Sequence, residues 1–193
     1  MTQEQEIVRK IIRERRSIFP HAYNDEPIPD HIILDVLEAG NWAPTHRLTE
    51  PWRYTVIRGE GLNRLSKFLG DAYKAGVSED AFSEMKFKKT VQKPLKCACI
   101  IAICMQRDPD LSIPEWEEIA SMAMSVQNMW LTCAAHNIGC YWSSPKSMVG
   151  NPSFLNLPEG QQCYGLFYMG YTDQELTEGK RTAMGDKVNW VDA

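Results

Sequence analysis

The sequence predicts an α+β fold, an α/β sandwich in which helices cover both faces of one sheet. Three observations predict it. Ile7, Val8, Ile11 and Ile12 recur at helical spacing near the start of the chain. The run Cys97-Ala98-Cys99-Ile100-Ile101-Ala102-Ile103-Cys104 is apolar throughout, as a central strand buried on both faces is. The stretch from Glu115 to about Asn137 reads as one long helix, and its second half, Ala120 to Leu131, is apolar nearly all round.

In chain order, residues from about 3 to 15 form an amphipathic helix. Pro20, Pro27 and Pro29 mark an irregular stretch. Asp30 suits the N-cap of a second helix carrying Ile32, Ile33, Val36, Leu37 and Ala39, which Gly40 and Pro44 end. Arg53 to Arg58 is a strand centred on Tyr54-Thr55-Val56-Ile57. Residues from about 61 to 92 are mostly helical, and the basic run Lys86 to Lys93 reads as a solvated face. After the long helix, Gly139 stops it and Cys140-Tyr141-Trp142 starts a strand. Gln162 to Met169 is a further strand closed by Gly170. Val188, Trp190 and Val191 alternate like a strand that adds to a sheet, its own or a partner's. At least four helices and four strands alternate irregularly, with neither repeat nor linker, so one domain over residues 1–193 is expected.

Bulk properties exclude several classes. A net charge of -4 gives no overall basic field for nucleic acid or an anionic membrane. Met1-Thr2-Gln3-Glu4-Gln5-Glu6 is polar and acidic, unlike a signal peptide. Cys97 to Met105 is too short to span a bilayer. Cys97, Cys99, Cys104, Cys133, Cys140 and Cys163 include no Cys-x-x-Cys pair and no zinc spacing. They read as reduced core residues, which places the chain in the cytoplasm. There is no dinucleotide fingerprint, Walker loop, nucleophile elbow or His-Glu-x-x-His.

Four segments carry chemistry. Arg15-Arg16-Ser17 closes the first helix. The basic pair suits the negative end of the helix dipole, and its guanidinium forks with the hydroxyl also suit a phosphate. Pro44 and Pro51 bracket a loop around which Trp42, His46 and Trp52 crowd, with Trp52 and Tyr54 seating it on the sheet. Trp142, Ser143 and Ser144 end a strand before Pro145, where amides and hydroxyls meet ligands in α/β proteins. Gly179-Lys180-Arg181 places a basic pair near the end of the chain. Clustered cations, a hydroxyl, a histidine and flat aromatics are what a phosphorylated planar cofactor needs.

The order and spacing of these segments over residues from about 7 to 191 resemble the nitroreductase family, and more closely its small, single-domain bacterial branch. The resemblance implies a central mixed sheet flanked by helices and a central dimer-forming helix, here Ala120 to Ala135. It implies a homodimer with FMN at the subunit interface and NADPH or NADH as co-substrate. Arg15, Arg16 and Ser17 would hold FMN from one subunit, with Arg15 at the phosphate and Lys180 and Arg181 completing that site. Trp142, Ser143 and Ser144 would run beside the ring, and Trp42 and His46 would reach it from the other subunit. No side chain is assigned as catalytic, because flavin N5 carries the hydride to a nitroaromatic, quinone or similar small-molecule acceptor. A non-redox FMN store or sensor, and flavin-fragmenting or dehalogenating relatives, are the alternatives on the same scaffold. The chain departs from the pattern at Ser143, where the branch tends to have arginine, and at Glu50, where glutamine is common.

Overall fold

The structure is a computed structural model and describes residues 1–175 and 177–191. Five helices and four strands follow in the order α1 (Gln3–Glu14), α2 (Asp30–Asn41), β1 (Trp52–Ile57), α3 (Glu60–Ala75), α4 (Glu84–Leu95), β2 (Cys99–Gln106), α5 (Glu115–Ala135), β3 (Ile138–Ser143) and β4 (Gln161–Tyr171). The strands form one sheet in the order β1-β2-β4-β3.

Alternation along the two central strands divides the core. Cys99, Ile101, Ile103 and Met105 of β2 and Phe167 and Met169 of β4 face α2 and α5. Ile100, Ala102 and Cys104, with Leu166 and Tyr168, face Leu62, Leu65 and Leu69 of α3. Helix α5 lays Met122, Val126, Met129 and Cys133 on the first face, at helical spacing. Its small Ser125 lets α2 come close. A methyl group on Gly40 would stand 2.9 Å from Met129, Ser125 and the Tyr54 hydroxyl. Ser125 Oγ donates to the Gly40 carbonyl at 2.8 Å, and Asn128 donates to that of Ala39 at 3.1 Å. Carbonyls at the end of α2 thus find partners on α5.

The structure corrects several expectations. Paired strands run antiparallel throughout rather than forming a mixed sheet. The reason is topological: β4 inserts between β2 and β3 and runs against both. Asp30 is the first residue of α2 and not its N-cap, which is Pro29; its carboxylate pairs with Arg58 instead. Gly139 does not stop α5. The helix ends at Ala135, and Asn137 makes the left-handed turn at φ 57°. Gly139 and Gly170 lie inside β3 and β4, directly opposite each other. Val188, Trp190 and Val191 are in no strand of this chain.

That glycine pair positions the site. A methyl group on Gly170 would stand 2.6 Å from the Tyr23 ring, and one on Gly139 would stand 3.0 Å from it and 3.1 Å from Ile18. The bare backbones form a seat for Tyr23, whose hydroxyl donates to the Ile18 carbonyl at 2.7 Å. Ile18 N–H in turn donates to Cys140 O of β3 at 3.1 Å. The segment after Arg15-Arg16-Ser17 is thereby fixed along the outer edge of β3.

Candidate functional site

Helix α1 ends at Arg15, which swings its guanidinium over the Trp130 ring of α5, 4.6 Å from the ring centre. Arg16 turns the other way. Its Nε donates to Thr177 O at 2.9 Å, and its Nη1 donates to the carbonyls of Arg13 and Arg15 at 2.6 and 2.9 Å. The last segment of the chain passes so close that a methyl group on Gly179 would stand 2.8 Å from the Arg16 guanidinium carbon. The segment that carries Lys180 and Arg181 thus runs beside Arg16.

Partial burial holds the Arg15 pKa below its ordinary value, and the charges of Arg181 and Arg16 push it further down, against an opposing effect of Cys140. None of Arg15, Arg16, Lys180 or Arg181 makes an ion pair among the described residues. Arg15 and Arg16 line a cleft of about 470 Å³ with Trp130, Ile138, Gly139 and Thr172. Glu14 and Lys10 also line this cleft and pair with each other at 4.0 Å. A guanidinium left without an ion pair there suits a phosphate, whose dianion relieves the cationic repulsion and accepts forked donors. Ser17 lines a smaller adjoining recess.

β3 runs from this cluster toward Ser143, about 13 Å beyond Gly139 at about 3.3 Å per residue, and Ser144 follows it. Gly165 of β4, at φ 128°, lets the Ser143 carbonyl and the Trp142 indole lie where a side chain would be. Trp142 donates its indole N–H to Tyr164 O at 3.2 Å, so this end of β3 is rigid.

Trp42 and His46 are not brought to the arginines within one chain. Trp42 is 77% exposed at the end of α2 and donates to Glu38 at 2.8 Å. His46 Nδ1 lies 2.5 Å from Glu117 Oε2, on the first turns of α5, whereas Arg15 packs on Trp130. Those two positions on α5 are roughly 20 Å apart at 1.5 Å per residue. The loop at His46 is strained, with Arg47, Leu48 and Glu50 at φ 53°, 55° and 40°. Thr45 Oγ1 holds it through the Glu50 N–H and the Thr49 hydroxyl, both at 3.2 Å. Trp52 and Tyr54 seat it as expected: Trp52 is buried and donates to Asn41 at 3.0 Å, and Tyr54 bonds Ser125.

Sequence reasoning missed Lys93. It is not part of a solvated face: its ammonium sits over the Tyr141 and Tyr168 rings, 4.8 and 4.6 Å from their centres. Lysines 86, 88 and 89 are exposed, and no local signal separates Lys93 from them. No described group of His, Cys, Asp and Glu could hold a metal ion, and no described helix is long and apolar enough to cross a membrane.

Comparison with known proteins identifies the family and the fold. The family model described as the nitroreductase family matches residues 12–171. The candidate NAD(P)H nitroreductase YfhC of Bacillus subtilis (strain 168) is 28% identical over 185 residues, covering 94% of this chain and 92% of that protein. A crystal structure of a nitroreductase-like family protein from Bacillus cereus covers all of both chains at 29% identity and a TM-score of 0.78. The FMN-dependent nitroreductase NfnB of Mycobacterium smegmatis, solved with NADPH, shares the fold at 15% identity and a TM-score of 0.79, covering 98% of this chain and 100% of that one. A match over most of the chain, from the end of α1 to the end of β4, shows that this chain belongs to the nitroreductase family.

Proposed function

We propose that the chain is an FMN-dependent oxidoreductase that passes hydride from NADPH or NADH to a nitroaromatic, quinone or similar acceptor by ping-pong turnover. Arg15, which lines the cleft beside Arg16, makes no ion pair among the described residues and feels the charge of Arg181, carries this reading. The chemistry that FMN supplies when bound is hydride acceptance and release at N5. Arg15 and Arg181 bind its phosphate, with Lys180 at the rim. Arg16 braces the terminal segment and adds its charge. Ser17 adds a hydroxyl, and the fixed end of β3 at Trp142, Ser143 and Ser144 orients the ring. Support for the cofactor comes also from NfnB, which is FMN-dependent and was solved with NADPH.

The functional unit is a homodimer, one FMN-binding domain per chain. Helix α1 buries none of its residues, although Ile7, Val8 and Ile12 form an apolar stripe. Trp116 and Met124 are likewise exposed on α5. A second copy covering these faces would bring its Trp42 and His46 to the ring, which accounts for their distance from the arginines of their own chain.

The test is an anaerobic visible spectrum of the protein with FMN, before and after NADPH and then NADH. Bleaching of the flavin bands is the expected result, and the rates rank the donors. A bound flavin that stays oxidised with both donors would overturn the redox reading in favour of storage or sensing. A protein that binds no FMN would overturn the site itself.

A further inference from the structure

Cys104 of β2 and Cys163 of β4 are directly paired across the two central strands. Both are buried free thiols on the α3 side of the sheet. Their backbones turn away from each other. The Cys163 N–H donates to Gly150 O at 2.6 Å and its carbonyl accepts from Gly150 N–H at 2.8 Å, so its ladder bonds point away from β2. Gln106, two residues beyond Cys104, donates to Pro51 O just ahead of β1 at 2.8 Å, which turns the Cys104 backbone toward β1 as well. The cysteines thus form a non-hydrogen-bonded pair, whose Cα atoms stand about 4.5 Å apart. That separation lies within the roughly 4.4–6.8 Å that a disulfide spans. A bulge adjoins the pair, because Ile103 pairs with Gly165 and leaves Tyr164 unopposed. On the side away from β2, Cys163 has no strand neighbour, only an isolated bridge to Gly150 at φ 87°, where local opening admits a small molecule.

The pair is chemically asymmetric. The neighbouring Cys104 thiol, and then the Gly165 N–H that donates to Cys163 Sγ at 3.4 Å, hold the Cys163 thiol below its ordinary value against the effect of burial. Burial pushes Cys99, by contrast, up to about 12. We propose that Cys104 and Cys163 are a redox modification site that closes a reversible cross-strand disulfide, with hydrogen peroxide as the oxidant. Cys163 sulfur attacks one peroxide oxygen: an S–O bond forms, the O–O bond breaks, and the second oxygen leaves as water. Cys104 sulfur then attacks the Cys163 sulfenic acid: the S–S bond forms, the S–O bond breaks, and the Cys104 proton leaves with a second water. The two thiols give up two electrons and the peroxide takes them. Directly opposed residues hold their Cβ atoms slightly farther apart than a relaxed disulfide does, so the bond is strained and readily reduced by a thiol. The site is separate from the arginine cleft and does not depend on the oxidoreductase reading.

The test is hydrogen peroxide treatment of the intact folded protein, followed by alkylation of remaining thiols in denaturant and mass spectrometry of its peptides. Two of the six thiols should escape alkylation, and the peptides carrying Cys104 and Cys163 should appear as one linked species that dithiothreitol separates. The treated protein should melt about 5–10 °C higher, and dithiothreitol should reverse the shift. Cys104→Ala should leave Cys163 as a sulfenic acid that dimedone traps, whereas Cys163→Ala should leave Cys104 unreacted. The wild-type peptide map decides the matter by itself if either variant fails to fold. Alkylation of all six thiols at every peroxide concentration that preserves the circular dichroism overturns the proposal. So does a link between Cys133 and Cys140 in place of this one, or oxidation of wild-type Cys163 to a sulfinic acid without a link to Cys104.

Discussion

Arg15 and Arg16 lie near one end of the sequence and Arg181 near the other, yet the charge of Arg181 is felt at Arg15. Their convergence has a thermodynamic consequence. Like charges in a partly buried cleft repel, so the unliganded protein carries a cost that a bound dianion removes. FMN at about a hundred times its Kd should stabilise the fold by about 2.7 kcal/mol. For a chain of this size that is a rise in Tm of roughly 5–10 °C, measurable by differential scanning fluorimetry. Arg15→Ala combined with Arg181→Ala should give a folded but nearly colourless protein whose Tm no longer responds to FMN. Full retention of yellow colour in that variant would sink the phosphate assignment.

At the scale of elements, the facing pair Gly139 and Gly170 connects sheet to site. Read from sequence these glycines looked like terminators, because glycine after a helical or strand pattern usually is one. Within β3 and β4 they are instead the floor under Tyr23. Gly170→Ala should destabilise the protein by about 1–3 kcal/mol, since the Tyr23 ring is pinned by its hydrogen bond and overpacking has no outlet. Thermal denaturation should show a loss of roughly 3–10 °C in Tm. Gly185→Ala, where a methyl group meets nothing within 4 Å, is the matched control and should be near neutral. What was legible in the sequence follows the same division. Helix α1, strand β2 and helix α5 were readable because their periodicity is local. So was the family, because Arg15-Arg16-Ser17, the His46 loop, the end of β3 and Lys180-Arg181 keep their order and spacing. The antiparallel pairing of β4 with both neighbours was not readable, since strand order is set by contacts far apart in sequence. Lys93 was hidden for a related reason. A lysine in a basic helical run shows its role only when the sheet beneath it is placed.

At the scale of the whole molecule, α1 is the anomaly that the proposed dimer would resolve. An amphipathic helix of 12 residues that buries none of them gains little from its own chain, with Ile7, Val8 and Ile12 each more than half exposed. Isolated helices of this length are marginal in water, so its stability must come from packing. The exposed Trp116 on α5 and the roughly 20 Å between His46 and Arg15 along that helix point to the same missing neighbour. Light scattering on the FMN-bound protein should therefore give the mass of two chains. Val8→Glu with Ile12→Glu sets charges in the apolar stripe without touching the residues that line the arginine cleft. This variant should run as a monomer, keep the circular dichroism of a folded core, and lose most of its FMN, because the second copy no longer closes the site. A monomer that keeps FMN at wild-type affinity would separate dimerisation from cofactor binding and remove Trp42 and His46 from the site. A variant that remains dimeric would move the interface away from α1 and leave that helix without a partner.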